Sequence, residues 1–135
     1  MRFPYYQITV KDFAPIIPIK IQGPKGWLEF EAYIDSGASV SIFHADRAEI
    51  LGIDIQDGDS LYLTVGDGGL LEVYLHKVTV ELASEQFSST IGFSDHLGVG
   101  FNLLGRKSIF EHFRICFDDL NRFIELTPIS KTVKK

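Results

Sequence analysis

The residues in this chain best suited to chemistry are Asp35, Ser36 and Gly37, which follow the apolar pair Tyr33 and Ile34. The apolar pair predicts a strand that enters a core, and Gly37 permits a sharp loop directly after it. The pattern therefore predicts a carboxylate held at depth, where it could act as a general acid or base. The alternative is a structural turn in which Asp35 accepts backbone hydrogen bonds, and an isolated Asp-Ser-Gly tripeptide favours that interpretation.

A second group of residues lies about seventy positions further along the chain. The apolar pair Leu103 and Leu104 is followed there by Gly105 and Arg106. Residues 105–113 carry apolar side chains at helical spacing, which predicts a short amphipathic helix. In the chain, a carboxylate loop is thus followed by an apolar-apolar-Gly-Arg element.

A glycine-rich turn separates these two groups. Its residues are Gly66, Asp67, Gly68 and Gly69. Strand-like segments at 61–65 and 70–82 flank it, and glycines allow the positive φ angles of a tight hairpin tip. This is the clearest hairpin in the sequence.

Several other motifs fail on chemistry. Gly100 and Gly105 approximate a phosphate-binding loop, but Arg106 holds the place of the required lysine, and Lys107 comes one residue late. The four histidines do not pair at ligand spacing, which predicts no metal site. With Cys116 as the only cysteine, no intramolecular disulfide can form.

The elements that must position these residues are mostly strands. Eleven Phe and five Tyr, with Val and Ile in short segments between turn residues, favour strands over helices. Hairpins are predicted from 16–22 with 27–34 and from 113–117 with 123–126. One or two helical turns are predicted at residues 46–52.

Length and charge limit the functions open to the chain. At 135 residues, one domain spanning 1–135 is expected, with a core at about 16–128 and a flexible C-terminal tail. A net charge of −5 without a basic cluster argues against nucleic acid as a partner. No stretch is long and apolar enough for a membrane span or a signal peptide, so we expect a cytoplasmic protein with no membrane partner.

The order of carboxylate loop, glycine hairpin, apolar-Gly-Arg element and short helix resembles the retropepsin-like aspartic proteases, single-lobe relatives of pepsin. The resemblance covers residues 16–128. Asp35 matches the catalytic aspartate, and the active-site loop corresponds to Ser36, Gly37 and Ala38. The flap tip corresponds to Gly66, Asp67, Gly68 and Gly69. The element that supports the loop from behind corresponds to Leu103, Leu104, Gly105 and Arg106.

One position departs from the family pattern. Several viral members carry an acid where this chain has Ser39, and that acid can pair with the motif arginine. The partner of Arg106 is therefore left open. Arg106 is expected to be structural, and its removal to weaken folding or dimerisation if the guanidinium pairs with a buried acceptor.

The resemblance implies an all-β, closed β-barrel lobe with a glycine-tipped flap hairpin and one short C-terminal helix. It also implies an aspartic endopeptidase that cleaves peptides or unfolded proteins without a cofactor. Because the chain contains a single Asp-Ser-Gly, the second carboxylate must come from Asp35 of another copy, which makes the expected catalytic unit a homodimer.

Two other functions stay open at this point. The first is a non-catalytic dimerisation or peptide-binding module on the same fold, and the second is nucleotide binding through residues 100–108. The intact Asp35 favours the protease, since a module without catalysis has no need to hold an uncompensated carboxylate in an apolar setting.

Overall fold

Strands make up most of this computed structural model, which describes residues 1–64 and 68–130. The predicted flexible tail falls largely on residues 131–135, outside the described part. Within that part the chain also forms one short helix, α1 (Ala45–Ile50), a 3-10 turn (Ile55–Asp57) and a wider helical turn (Arg106–Phe110). The strands are, in chain order, β1 (Arg2–Pro4), β2 (Tyr6–Gln7), β3 (Phe13–Ala14), β4 (Ile16–Gly23), β5 (Gly26–Ile34), β6 (Ser41–His44), β7 (Asp59–Thr64), β8 (Leu70–Leu82), β9 (Glu85–Ser94), β10 (Asn102–Leu104), β11 (Phe113–Asp118) and β12 (Phe123–Pro128).

Seven of the strands form one curved sheet that closes on itself. Their order is β4-β5-β10-β6-β9-β8-β7. β4 pairs with β5 along its length and pairs again with β8, where Lys20 lies opposite Glu81 and Ile21 opposite Val80. This second pairing closes the ring, so the predicted all-β barrel with few helices is confirmed.

The alternation of side chains explains why β5 is a strand. Glu29 and Glu31 are exposed, whereas Phe30, Ala32 and Ile34 are buried. Side chains of a strand point alternately to its two faces, so one face of β5 joins the core and the other meets solvent. The turn from β4 into β5 uses Gly26 at φ +131°, a conformation that favours glycine.

Phenylalanines at the centre of the barrel pack edge to face. The Phe43 ring lies 5.9 Å from Phe30 and 6.3 Å from Phe93, both in T-shaped geometry. Such pairs add about 0.5–1.5 kcal/mol to the free energy gained by burying their area. The rings therefore fix β5, β6 and β9 relative to one another.

A smaller sheet of three strands, in the order β1-β12-β11, and a two-stranded sheet of β2 and β3 complete the fold. β11 and β12 form the predicted last hairpin, with Cys116 opposite Glu125. Its turn is held by Asp118, which accepts hydrogen bonds from the Asn121 amide N–H at 2.8 Å and from the Asn121 side chain at 2.9 Å. These bonds lower the pKa of Asp118. β1 adds to this sheet by pairing with β12, a pairing that the sequence pattern did not predict.

The helical segments differ in how well the sequence predicted them. α1 lies where one or two helical turns were predicted, and Gly52 follows it at φ +71°. The predicted C-terminal helix over residues 105–113 is confined to one wide turn, because Lys107 and Ser108 leave helical geometry. Ser108 has φ +71°, and Phe113 already begins β11. Among the described residues, no helix is long and apolar enough to cross a membrane.

Candidate active site

Asp35 lies immediately after the last residue of β5, half-buried at the edge of the barrel. β10 runs parallel to β5, with Leu104 opposite Ile34. The Asp35 amide N–H donates to the Leu104 carbonyl at 2.9 Å, which extends this pairing by one residue. The depth at which the Asp35 carboxylate lies is therefore set by β10, a strand about seventy residues further along the chain.

The loop after Asp35 folds back on the carboxylate. Asp35 Oδ1 accepts a hydrogen bond from the Gly37 amide N–H at 2.8 Å, and the Asp35 carbonyl accepts one from the Ala38 N–H at 3.2 Å. A Cβ at Gly37 would lie 3.1 Å from Asp35 Oδ1, so a side chain there would crowd the carboxylate. These contacts fix the direction of Asp35.

Gly105 lies against the far end of the same loop. A Cβ at this position would lie 2.5 Å from the Val40 carbonyl oxygen and 2.7 Å from the Ala38 carbonyl oxygen. The Gly105 N–H donates to the buried Ser41 hydroxyl at 3.0 Å. The φ angle of Gly105 is −108°, which would suit any residue. Glycine is therefore needed here because the two backbones approach too closely for a side chain.

Arg106 bonds the loop from its exposed side. Its Nη1 donates to the Ser36 carbonyl oxygen at 2.6 Å, and its backbone N–H donates to the Ala38 carbonyl at 2.9 Å. Because Ser39 has no carboxylate, the sequence did not indicate which group Arg106 would bond. The partner of the guanidinium is a backbone carbonyl. This acceptor is not a buried one, since Ser36 and Arg106 are both exposed.

Asp35 opens on a cleft of about 670 Å³ between the loop, the β7–β8 hairpin and the segment 96–99. Its polar or glycine lining consists of Asp35, Gly37, Ser39, Thr64, Gly69, His96 and Gly98. Its apolar lining is wholly aliphatic and consists of Ala38, Ile42, Leu63, Leu70, Leu71, Leu97, Val99 and Leu103. Among the described residues of this lining, Asp35 is the only carboxylate.

The β7–β8 hairpin covers one side of the cleft with the residues near its tip. Leu63 lies opposite Leu71 and both face the cleft. Gly68 has φ +85° and Gly69 lines the cleft, whereas the predicted tip residues Gly66 and Asp67 lie outside the described residues. Leu70, next to the tip, is 70% exposed.

Polar side chains occupy the opposite face of this hairpin. The Ser60 hydroxyl donates to Glu72 Oε2 at 2.9 Å, and the Tyr74 hydroxyl donates to Glu72 Oε1 at 3.3 Å. Hydrogen bonds from Ser60, Tyr62 and Tyr74 lower the pKa of Glu72, since they favour its ionised form. The Glu72 carboxylate thus cross-links the two strands in the middle of the hairpin.

The structure brings most of the predicted site residues together. Asp35, Gly37, Ala38, Gly69 and Leu103 line one cleft. Leu104, Gly105 and Arg106 contact the backbone of the loop, and Arg106 does so through the Ser36 carbonyl. Within residues 1–64 and 68–130, no three His, Cys, Asp or Glu side chains are arranged to hold a metal ion.

Sequence reasoning missed the cleft wall formed by Leu63, Leu71, Leu97 and Val99. The alternation of Leu61, Leu63, Leu71 and Val73 in the hairpin could have indicated its apolar face. Residues 96–99 carry no comparable pattern.

Among the comparisons with known proteins, only the solved structures indicate the fold. No family model matches the sequence, and no curated protein matches it. A retropepsin-like aspartic protease from Rickettsia conorii is similar in structure, with a TM-score of 0.65 and 15% identity over 93% of this chain and 89% of that one. EIAV protease, solved with the inhibitor HBY-793, has a TM-score of 0.52 and 18% identity over 75% of this chain and 88% of that one. The chain therefore has the fold of the retropepsin-like aspartic proteases.

Proposed function

We propose that this protein is a homodimeric aspartic endopeptidase in which Asp35 from each of two copies activates a water molecule. The observation that carries the proposal is the position of Asp35, whose carboxylate is aimed by the Gly37 N–H and opens on an aliphatic cleft. The similar fold of two solved proteases supports it.

The proposed chemistry requires two carboxylates about one water molecule apart. One is ionised and takes the proton of the water, and the other is protonated and polarises the scissile carbonyl. Because Asp35 is the only carboxylate among the described residues of the cleft, the second must come from a second copy across a two-fold axis. Two like charges this close cannot both ionise, so the pair shares one proton.

The cleft also suggests the kind of substrate. A peptide would lie extended below the β7–β8 hairpin, whose strands would act as the flap and pair with the peptide backbone. The aliphatic lining favours peptides or unfolded proteins with apolar side chains beside the scissile bond. The roles assigned to the loop, the flap and Arg106 stay predictions, as do the cytoplasmic location and the single domain over residues 1–135.

Asp35→Asn tests this function, because Asn keeps the shape of the side chain but cannot accept a proton from water. Cleavage of a denatured protein should fall by about 10²- to 10⁴-fold. Asp57→Asn, at an exposed position in the 3-10 turn, is the matched control and should cleave like the wild type.

Equal cleavage by wild type and Asp35→Asn would remove Asp35 from the mechanism. If neither protein cleaves and a pepstatin-like inhibitor does not bind, the non-catalytic module becomes the better description. Sedimentation equilibrium tests the dimer separately, since a monomer at every concentration would contradict the shared site.

A further inference from the structure

A second groove runs along the outer face of the β4–β5 hairpin. It consists of three adjoining cavities of about 510, 500 and 210 Å³, and Glu29 lines all of them. Residues 97–101 separate it from the cleft, because Val99 lines the cleft while Gly100 and Phe101 line the first cavity of the groove. We name this surface the outer groove.

Apolar side chains form the walls of the outer groove. The N-terminal segment contributes Phe3, Tyr6 and Ile8, and β4 contributes Ile16 and Pro18. Tyr6 is 48% exposed and Ile8 is 51% exposed. Apolar side chains left open beside a groove are suited to contact with a partner.

The charges of the outer groove are unbalanced. Glu29 and Glu31 are exposed at alternate positions of β5 and therefore face the same way. Lys20 lies opposite Glu29 in the sheet, but its ammonium group is 3.7 Å from Glu81. Among the described residues, neither Glu29 nor Glu31 forms an ion pair.

Two other cationic groups of the outer groove are also engaged. Met1 lines the smallest cavity, and its ammonium donates to the Leu126 carbonyl oxygen at 2.7 Å. Arg47, at the end near Phe101, forms an ion pair with Asp46 at 2.9 Å. The centre of the groove therefore offers two carboxylates without a cation of their own, between apolar walls.

We propose that the outer groove binds an extended, basic segment of another polypeptide, with Lys or Arg at alternate positions facing Glu29 and Glu31. Same-side residues of an extended chain recur about every 6.6 Å, on both the strand and the incoming peptide, so the charges match in spacing. The long aliphatic stems of Lys and Arg would pack on Pro18 and Tyr6 while their charged ends meet the carboxylates. This inference does not depend on the proposed protease activity.

Binding can be measured with a short fluorescent peptide that alternates Lys and Thr. The host is the Asp35→Asn chain, so that cleavage does not interfere. The control peptide has every lysine acetylated, which keeps its length and removes its charge. We expect saturable binding of the charged peptide, weakening with added salt, and little binding of the acetylated one.

Two double variants, each of which removes two negative charges, locate the site. Glu29→Gln with Glu31→Gln should weaken binding by about 3- to 10-fold, the range expected for two exposed ion pairs. Glu49→Gln with Asp57→Asn, which lie on α1 and the 3-10 turn, should leave it unchanged. Tyr6→Ser should weaken binding without changing the charge.

Three results would overturn the proposal. They are equal binding of the acetylated peptide, unchanged affinity in the Glu29 and Glu31 variant, and an equal loss in both double variants. The last would mean that the peptide responds only to the net negative charge of the protein. Thermal unfolding of each variant checks that the exposed substitutions leave the fold intact.

Discussion

The guanidinium of Arg106 bonds the carbonyl oxygen of Ser36 at 2.6 Å, joining residues that are 70 positions apart in the sequence. Ser36 directly follows Asp35, so this bond reaches the backbone next to the candidate catalytic carboxylate. Since a guanidinium presents several donors in a fixed plane, the bond also restricts the orientation of the loop.

Removal of Arg106 should loosen the loop more than it destabilises the protein. We expect Arg106→Ala to lower the free energy of unfolding by about 1 kcal/mol, because the lost hydrogen bond is exposed to solvent. Activity per folded molecule should fall further, and Arg106→Lys should restore only part of it. Arg114→Ala, at an exposed position of β11, is the control. Equal effects of Arg106→Ala and Arg114→Ala in denaturation and peptidase assays would contradict this role.

Gly105→Ala should be strongly destabilising. The new methyl group would meet the Val40 and Ala38 carbonyls at 2.5–2.7 Å, and backbone atoms cannot turn aside as a side chain can. We expect a loss of about 3 kcal/mol in urea denaturation, at the upper end for overpacking. Gly98→Ala is the control, since a Cβ there meets nothing within 4 Å. A stable Gly105→Ala protein with wild-type activity would show that the loop and β10 can separate without cost.

Gly68→Val should reduce activity more than stability. Gly68 has φ +85°, which a β-branched residue avoids, but a Cβ there contacts nothing within 4 Å. Gly68→Asn should be milder, because Asn tolerates positive φ better. Melting temperature and peptidase rate should be measured for both variants. A large fall in melting temperature, with activity per folded molecule unchanged, would identify a structural corner and not a flap.

The hydrogen bonds of Glu72 make the β7–β8 hairpin sensitive to acid. Its pKa is lower in the folded chain than in the unfolded one, because the hydroxyls of Ser60, Tyr62 and Tyr74 favour the carboxylate. The resulting stability is present above the unfolded pKa and is lost as the pH falls through the lowered folded value. The protection factors of the hairpin amides, which are corrected for the intrinsic pH dependence of exchange, should therefore fall in acid in the wild type.

The matched variant is Glu72→Gln, which cannot ionise. Its hairpin should exchange faster than that of the wild type at neutral pH, and the difference should shrink in acid. Glu49→Gln on α1 should exchange like the wild type throughout. A difference between wild type and Glu72→Gln that is constant with pH would mean that ionisation of Glu72 does not support the hairpin.

Local patterns in the sequence were enough to predict much of the fold. The β4–β5 and β11–β12 hairpins and α1 were found from alternation, turn residues and Gly52. The residues around Asp35 were predicted only through the resemblance to a family, because a tripeptide cannot indicate which distant strand supports it.

Long-range pairing explains what the sequence did not predict. β9 is split between two environments. Glu85 to Ser88 alternate between half-buried and exposed, whereas Ser89 to Ser94 are nearly all buried, so the strand as a whole shows no regular alternation. The parallel contacts of β10 with β5 and of β6 with β9 join segments that carry no shared local signal. The irregular turn at Lys107 and Ser108 arises because Ser108 bonds the Thr90 N–H and the Glu111 side chain.

The parallel contact of β10 with β5 also dictates when the site can form during synthesis. The supporting residues Leu104 to Arg106 bond the Asp35 loop, and they leave the ribosome about seventy residues after Asp35 itself. Closing a chain segment of this length has an entropic cost that local contacts do not offset in advance. A nascent chain therefore carries an unsupported Asp-Ser-Gly loop until residues 104–106 have emerged, and only then can the geometry around Asp35 be completed.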